Sequence, residues 1–557
     1  MTHPRLTAPH ATHEVTNQPP PLENVNLFAL DVALQEGLVR EGASWALERA
    51  QAFGARVGGV PLSRWGFEAN AYPPVLKTFD RFGHRIDEVE FHPSWHELLR
   101  LGVEAGLHAM PWREPREGAH VARAALFFLF TQAEAGAGCP LSMTHSVVPA
   151  LRIQAELARQ WEPRFTSLFY DPTCRPAPQK TGALCGMAMT EKQGGSDLRA
   201  STTRATPLGK GGPGGEYVLT GHKWFCSAPM CDAFLTLAQT PKGLSCFLLP
   251  RWLPDGTRNR FFLQRLKDKL GNRSNASSEV EYDEAWAQMV GEEGRGVRTI
   301  IEMVAHTRLD CVIGCAAIMR LALTQATHHA AHRSAFGRRL WDQPLMQNVL
   351  ADLCLESEAA TALMMRLGRA YDSAQNPQER RFARIATAVS KYWVTKRATP
   401  MVAEALECLG GGGYVEESGM PRLLRESPLN SIWEGSGNVI CLDVLRALTR
   451  EEGTADAFLA ELRLAQGADR QLDRATAELE ALLRDTGRLE LSARRAVERM
   501  ALLLQASLLV RHGSAAVADA FCRSRLAGDR GLAFGTLPPD VDFRSILRRA
   551  HPLAVGG

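Results

Sequence analysis

The feature that most constrains the fold is a change of apolar period, twice, along one chain. Up to about Trp161 the apolar residues recur at helical spacing, and Val121 to Glu134 is a strongly apolar helix too short for a membrane. From about Gly182 the period shortens. Glu216–Thr220, Ala233–Gln239, Leu244–Pro250 and Ser278–Tyr282 read as strands divided by glycine or proline turns. From Gly294 to Arg333 the pattern is helical again. Val297, Ile300, Ile301, Val304, Val312 and Ile313 form its stripe, and two more helices follow near Pro344–Tyr371 and Gln378–Leu409. Such a helical, β, helical order predicts separate layers and several domains, in keeping with 557 residues. A further helical segment follows Arg450, with helical spacing in Phe458–Leu464, Leu472–Leu483 and Arg494–Leu509.

Composition narrows the class. Hydrophobic residues make up 45% and charged residues 22%, so the chain reads as globular and water-soluble. A net charge of +3 does not by itself demand a polyanion. The distribution is less even: from about Leu491 the basic residues are all arginine and outnumber the acidic ones about two to one. The twelve cysteines form no Cys-x-x-Cys pair and read as reduced, buried thiols. The first 25 or so residues, with Pro19–Pro21, read as an extended arm without an apolar signal core. No uninterrupted apolar run reads as a membrane span, so the expected location is cytoplasmic. His328 and His332 stand four apart on a helix, but no third ligand is evident, and no metal is expected.

Two loops carry chemistry. One is Met189-Thr190-Glu191-Lys192-Gln193-Gly194-Gly195-Ser196-Asp197. The other is Ser431-Ile432-Trp433-Glu434-Gly435-Ser436-Gly437-Asn438. A carboxylate followed by glycine, hydroxyl and amide residues sets a base beside backbone N–H groups that a polar cofactor can approach. With Lys269 through Ser277, these runs resemble the acyl-CoA dehydrogenase superfamily and, within it, the AidB-like adaptive-response flavoproteins. The likeness runs from about Asn17 to the end, less distinctively over the last hundred or so residues.

The resemblance implies an α+β multidomain fold: an arm and helical domain at 1–181, a β-barrel-like domain at 182–292, a helical bundle at 293–449, and an added helical domain at 450–557. It implies FAD. Met189, Thr190, Gly195 and Ser196 would meet the cofactor, Phe225 would flank its ring, and Ser227 would bond near N5. Arg333 and Phe336 match the family's Arg-x-x-Phe-Gly, in which the arginine takes a neighbouring subunit's pyrophosphate. Gly411 lies in the Gly410–Tyr414 loop, which also crosses to a neighbour, so a homotetramer is expected. Ser436 and Asn438 complete the site, and Glu434 would be the general base.

Four positions depart from the family's pattern: Lys192, Trp433, Ala305 and Glu407. They leave the acyl-CoA substrate open. The AidB-like branch also implies binding of double-stranded DNA and protection against alkylation damage. Arg446, Arg523, Arg525, Arg544 and Arg548 are the candidate DNA contacts, with Arg549 sharing the face of Arg544 and Arg548. Three readings stand: a DNA-binding flavoprotein of alkylation response with weak acyl-CoA dehydrogenase activity, a working dehydrogenase of short or branched-chain acyl-CoA catabolism, and an oligomer in which flavin is a scaffold.

Overall fold

The computed structural model describes residues 12–484 and 489–550. The start of the expected arm and the last residues of the added region lie outside the described residues. Three layers follow one another as the change of period demands.

The N-terminal region is helical, and its two most deeply buried helices are α1 (Ala119–Ala133) and α2 (Gly138–Leu151). Every residue of α1 is buried, so it is apolar all round and sits inside the molecule. One element departs from the helical expectation. Val75–Phe79 and Arg85–Glu90 pair as an antiparallel hairpin. Its strands carry Lys77, Arg85, Glu88 and Glu90 and are mostly exposed, so no apolar alternation marks them.

The middle layer has seven strands: β1 (Cys185–Ala188), β2 (Arg204–Pro207), β3 (Glu216–Ser227), β4 (Ala233–Thr240), β5 (Gly243–Pro250), β6 (Phe261–Leu266) and β7 (Ser277–Val290). Strand β4 pairs β5, β5 pairs β7, β7 pairs β3, β3 pairs β2, and β2 touches β4 at Arg204 and Gln239. That ring closes, which leaves five strands without a free edge and gives the expected barrel-like form. Strand β1 adds parallel to β4, and β6 adds to β7. The register brings Ser227 opposite Ser277.

The third layer is built on α3 (Gly296–His332), α4 (Pro344–Asp372) and α5 (Pro377–Cys408), whose ends fall close to the expected boundaries. Helix α3 packs against α1, α2, α4 and α5 and is the axis of the molecule. It corrects one expectation: it is long and apolar enough to cross a membrane, and its apolar window is 89% buried inside the protein. A core helix surrounded by other helices needs that composition.

Helix α6 (Gly437–Arg450) leads to the added region: α7 (Thr454–Arg463), α8 (Arg470–Arg484), α9 (Ala493–His512), α10 (Ala515–Phe521) and α11 (Phe543–Ala550). Helix α9 packs on both α4 and α5, and α11 packs on α4. The region therefore adds a second shell to the bundle and shares its core. At the other end the arm is tied down as well. Pro20 O bonds the His328 ring at 2.8 Å, and Arg333 donates to Asn17 O at 2.7 Å.

Candidate flavin and base site

Glu434 sits between a short turn at Leu429–Ser431 and the start of α6, in a loop the chain cannot hold without outside support. Glu434 has φ 59° and Gly435 φ 103°. A glutamate in the left-handed region costs of order 1 kcal/mol or more and persists only when its surroundings fix it. They do. Lys391 on α5 donates to Trp433 O at 2.8 Å and Gly435 O at 2.5 Å, bridging the carbonyls on either side. Arg308 on α3 donates to Glu434 O at 3.0 Å and pairs with Asp443 at 2.7 Å. The Trp433 indole is fixed by Asn430 Oδ1 at 2.7 Å.

The carboxylate itself receives one hydrogen bond, from Thr307 Oγ1 to Oε2 at 2.8 Å. Burial pushes the Glu434 carboxyl above the usual carboxylate range, against that bond and the charges of Arg308 and Lys391. This combination makes a more basic carboxylate held in place by its backbone, with its oxygens largely uncommitted. Such a group is suited to take a proton from an adjacent carbon acid.

The second loop is anchored from beneath. Glu191 is fully buried and accepts from Lys223 Nζ at 2.9 Å, and from the backbone and hydroxyl groups of Thr202 and Thr203. Burial opposes its charge, yet Lys223 and these bonds hold the carboxyl well below the usual range. Thr190 O accepts from Trp224 N at 2.8 Å. Gly195 lies so close over Thr190 that a Cβ there would meet the threonine hydroxyl at 2.4 Å. Met189, Thr190, Gly195 and Ser196 are thus shaped as one short loop beside β3.

Along β3, Phe225 leaves half its ring exposed and Ser227 faces Ser277, with the two hydroxyls 3.4 Å apart. Lys269 bonds Asn275 O at 2.5 Å and Ser277 Oγ at 3.0 Å, and burial pushes its ammonium down to about 8. Burial pushes the Cys139 thiol up to about 12, against the nearby charge of Lys269. The Lys269–Ser277 run is itself a clasp: Asn272 gives both its N–H and its amide to Glu426, and Ser274 bonds Glu134 at 2.7 Å.

The residues fit a flavin dinucleotide. Asn275 is buried with neither end of its amide hydrogen-bonded. Such an amide is costly unless a polar ligand meets it. The exposed ring of Phe225 and the close-set glycine loop offer an apolar face and backbone N–H groups beside it. Gly411 and Gly412 have open space where a side chain would stand. Phe336, at φ 53°, is 97% exposed, and Tyr414 and Leu345 are exposed as well. Arg333 spends one donor on Asn17 O. These residues present an exposed apolar and cationic surface.

Sequence reasoning missed the groups that hold the loops: Lys391, Thr307, Arg308 and Lys223. All are distant in the chain from the motifs they support. It also missed Arg494, which bonds Asn438 Oδ1 at 2.8 Å. A Cβ on Gly437 would meet Lys396 at 2.9 Å and Arg494 at 3.4 Å, so both cations flank the N-terminus of α6 beside Ser436 and Asn438. Helix dipole and cations together favour a phosphate there.

The arginine expectations need correction. Arg525 is fully buried and pairs with Asp352 and Glu356 on α4, sharing Glu356 with Arg397. Arg523 is surrounded by Asp519, Asp529 and Asp540. Arg549 turns inward to Glu36 and Glu358, off the face of Arg544 and Arg548. Arg446 is half exposed and bonds Asp443. Arg544 and Arg548 alone remain exposed on one face of α11. The His328–His332 pair gains no third ligand among the described residues, and His328 bonds the arm.

Residues 17–172 match the adaptive response protein AidB N-terminal domain, residues 186–285 the acyl-CoA dehydrogenase middle domain, and residues 294–449 the acyl-CoA dehydrogenase C-terminal domain. The chain is 46% identical to the putative acyl-CoA dehydrogenase AidB of Escherichia coli K12, over 92% of this chain and 94% of that protein. It is 31% identical to acyl-CoA dehydrogenase family member 11 of Caenorhabditis elegans, over 73% of this chain and 67% of that protein. Among solved structures, Caenorhabditis elegans ACDH-11 in complex with C11-CoA superposes with a TM-score of 0.83 at 27% identity, covering 94% of this chain and 93% of that one.

Proposed function

The chain belongs to the acyl-CoA dehydrogenase family, in the group of the adaptive response protein AidB, and on that premise we propose that Glu434 is the base of an FAD-dependent oxidation of a short or branched acyl-CoA. When bound, FAD supplies the acceptor for the hydride that leaves the substrate's β-carbon. The chain's own residues do the rest. Glu434 takes the α-proton, and its raised proton affinity lowers the cost of that transfer. Lys391 and Arg308 fix the loop so that the carboxylate stays oriented while it changes charge. Thr307 holds one oxygen and leaves the other free. Trp433, the departure before the base, is held by its indole N–H to Asn430 Oδ1.

The observation that carries this reading is the strained, doubly clamped Glu434 with one oxygen uncommitted. Its test is a single turnover without oxygen: the wild-type protein is expected to convert isovaleryl-CoA to its α,β-unsaturated ester, read by mass, and Glu434→Gln to convert none. Equal yields from the two proteins would remove Glu434 from the chemistry.

A second layer of the proposal is double-stranded DNA binding in protection against alkylation, by a cytoplasmic homotetramer. The exposed pair Arg544 and Arg548 supports it, as does kinship with a protein named for the adaptive response. Contacts of this kind are made to phosphates, so they are salt-sensitive and blind to sequence. Arg544→Ala with Arg548→Ala is expected to flatten the salt dependence of duplex binding while flavin content holds; an unchanged slope would dismiss this face.

A further inference from the structure

Three histidines that the oxidation does not use converge behind the base. His120 comes from α1, His145 from α2 and His306 from α3, and one ring nitrogen of each lies within 4.8 Å of the others. Their ring centroids stand 5.7 Å apart for His120 and His145, 5.7 Å for His120 and His306, and 5.3 Å for His145 and His306. A tetrahedral ion with metal–nitrogen bonds of about 2.0–2.1 Å places the centroids of two ligating imidazoles about 5 Å apart. The three rings are already close to that spacing.

Their hydrogen bonding points the same way. His145 is fully buried, and neither of its ring nitrogens makes a hydrogen bond; Nδ1 of His306 is also buried without one. An imidazole packed only as a neutral core group normally gives its N–H to a carbonyl or carboxylate, because leaving it unpaired costs about 1–3 kcal/mol. His108 nearby does so, bonding Ser167 O at 2.9 Å. The rings are held by their surroundings: Trp112 stacks on His145 at 5.0 Å, and Tyr371 lies 4.7 Å from His306 with its hydroxyl tied to Ala305 O at 2.9 Å. Around them lie the buried Arg123–Asp310 pair and Asp372, which accepts the backbone N–H groups of His120 and Val121.

We propose that His120, His145 and His306 form a three-imidazole site for a divalent transition ion such as Zn²⁺, with a water at the fourth position. Three nitrogen ligands suit zinc, cobalt or nickel rather than magnesium or calcium, which take oxygen. A bound ion cross-links α1, α2 and α3, and His306 adjoins Thr307, the residue that bonds Glu434. The site needs no substrate to fill.

The test uses full-length protein carrying its flavin. After chelator treatment it is titrated with Co²⁺, and metal uptake is followed by elemental analysis and by the visible bands of tetrahedral cobalt beyond the flavin absorption. One ion per chain with those bands is expected. His145→Gln is expected to lose the ion and keep the flavin spectrum, and His328→Gln to keep both. A wild-type protein that takes up no Co²⁺ or Zn²⁺ overturns the proposal whatever the variants do. So does an ion that His328→Gln removes and His145→Gln does not. If His145→Gln loses its flavin, His120→Gln and the wild-type titration decide.

Discussion

The base loop and the added C-terminal region both draw on charged residues, and they use them in opposite ways. Around Glu434 the cations meet backbone carbonyls: Lys391 and Arg308 hold the loop and leave the carboxylate one hydrogen bond. In the added region the cations meet carboxylates side by side, and Arg525, Arg523 and Arg549 are consumed by their partners. The first arrangement keeps a charge available for chemistry. The second spends charge on docking one shell of helices to another. A count of arginines therefore measured packing more than outward field, and burial decides between the two.

The comparison breaks most readily at Arg525. Arg525→Ala leaves Asp352 buried without its charge partner and Glu356 with Arg397 alone, and a loss of about 3–5 kcal/mol is expected in denaturant unfolding; a loss near that of a surface change would mean the helices dock by apolar contact alone. Glu191→Gln should do comparable harm locally, since it leaves Lys223 buried without its charge partner. Weakened flavin retention, read by ultrafiltration, is the expected result.

Acid sharpens the contrast. Burial opposes ionisation of Glu356, but Arg397 and Arg525 hold its carboxyl down at about 2. Its folded value lies below the unfolded one of about 4.3. The stability it contributes is therefore present above that unfolded value and is lost as pH falls through about 2. Glu434 has the opposite sign: its proton affinity is raised, so activity should climb with pH through that raised value as the carboxylate forms. Thr307→Val removes the bond that lowers it and should move the climb to higher pH, with a stability cost of about 1 kcal/mol. A climb that stays put would deny Thr307 its role. The smallest effect is expected from Arg548→Ala, within about 0.5 kcal/mol, because its side chain is exposed.

What the sequence revealed follows the same division. The bundle helices and the barrel strands were legible, because burial on one side writes a period into the chain. The hairpin at Val75–Phe79 was not, since its charged, exposed strands carry no such period. Glycine-rich loops with a carboxylate announced the site, yet Lys391, Thr307, Lys223 and Arg494 did not. Each is an ordinary helix or strand residue whose role exists only after the chain has folded. Arg525 was misread for that reason too, and the trio of His120, His145 and His306 went unread because its members lie on three separate helices.

The most direct measurement is the visible spectrum of the purified protein, recorded without oxygen before and after adding a short branched-chain acyl-CoA. An oxidised-flavin band that bleaches in the wild type and persists in Glu434→Gln is the predicted result. A band that persists in both would contradict the assignment of Glu434 as a working base.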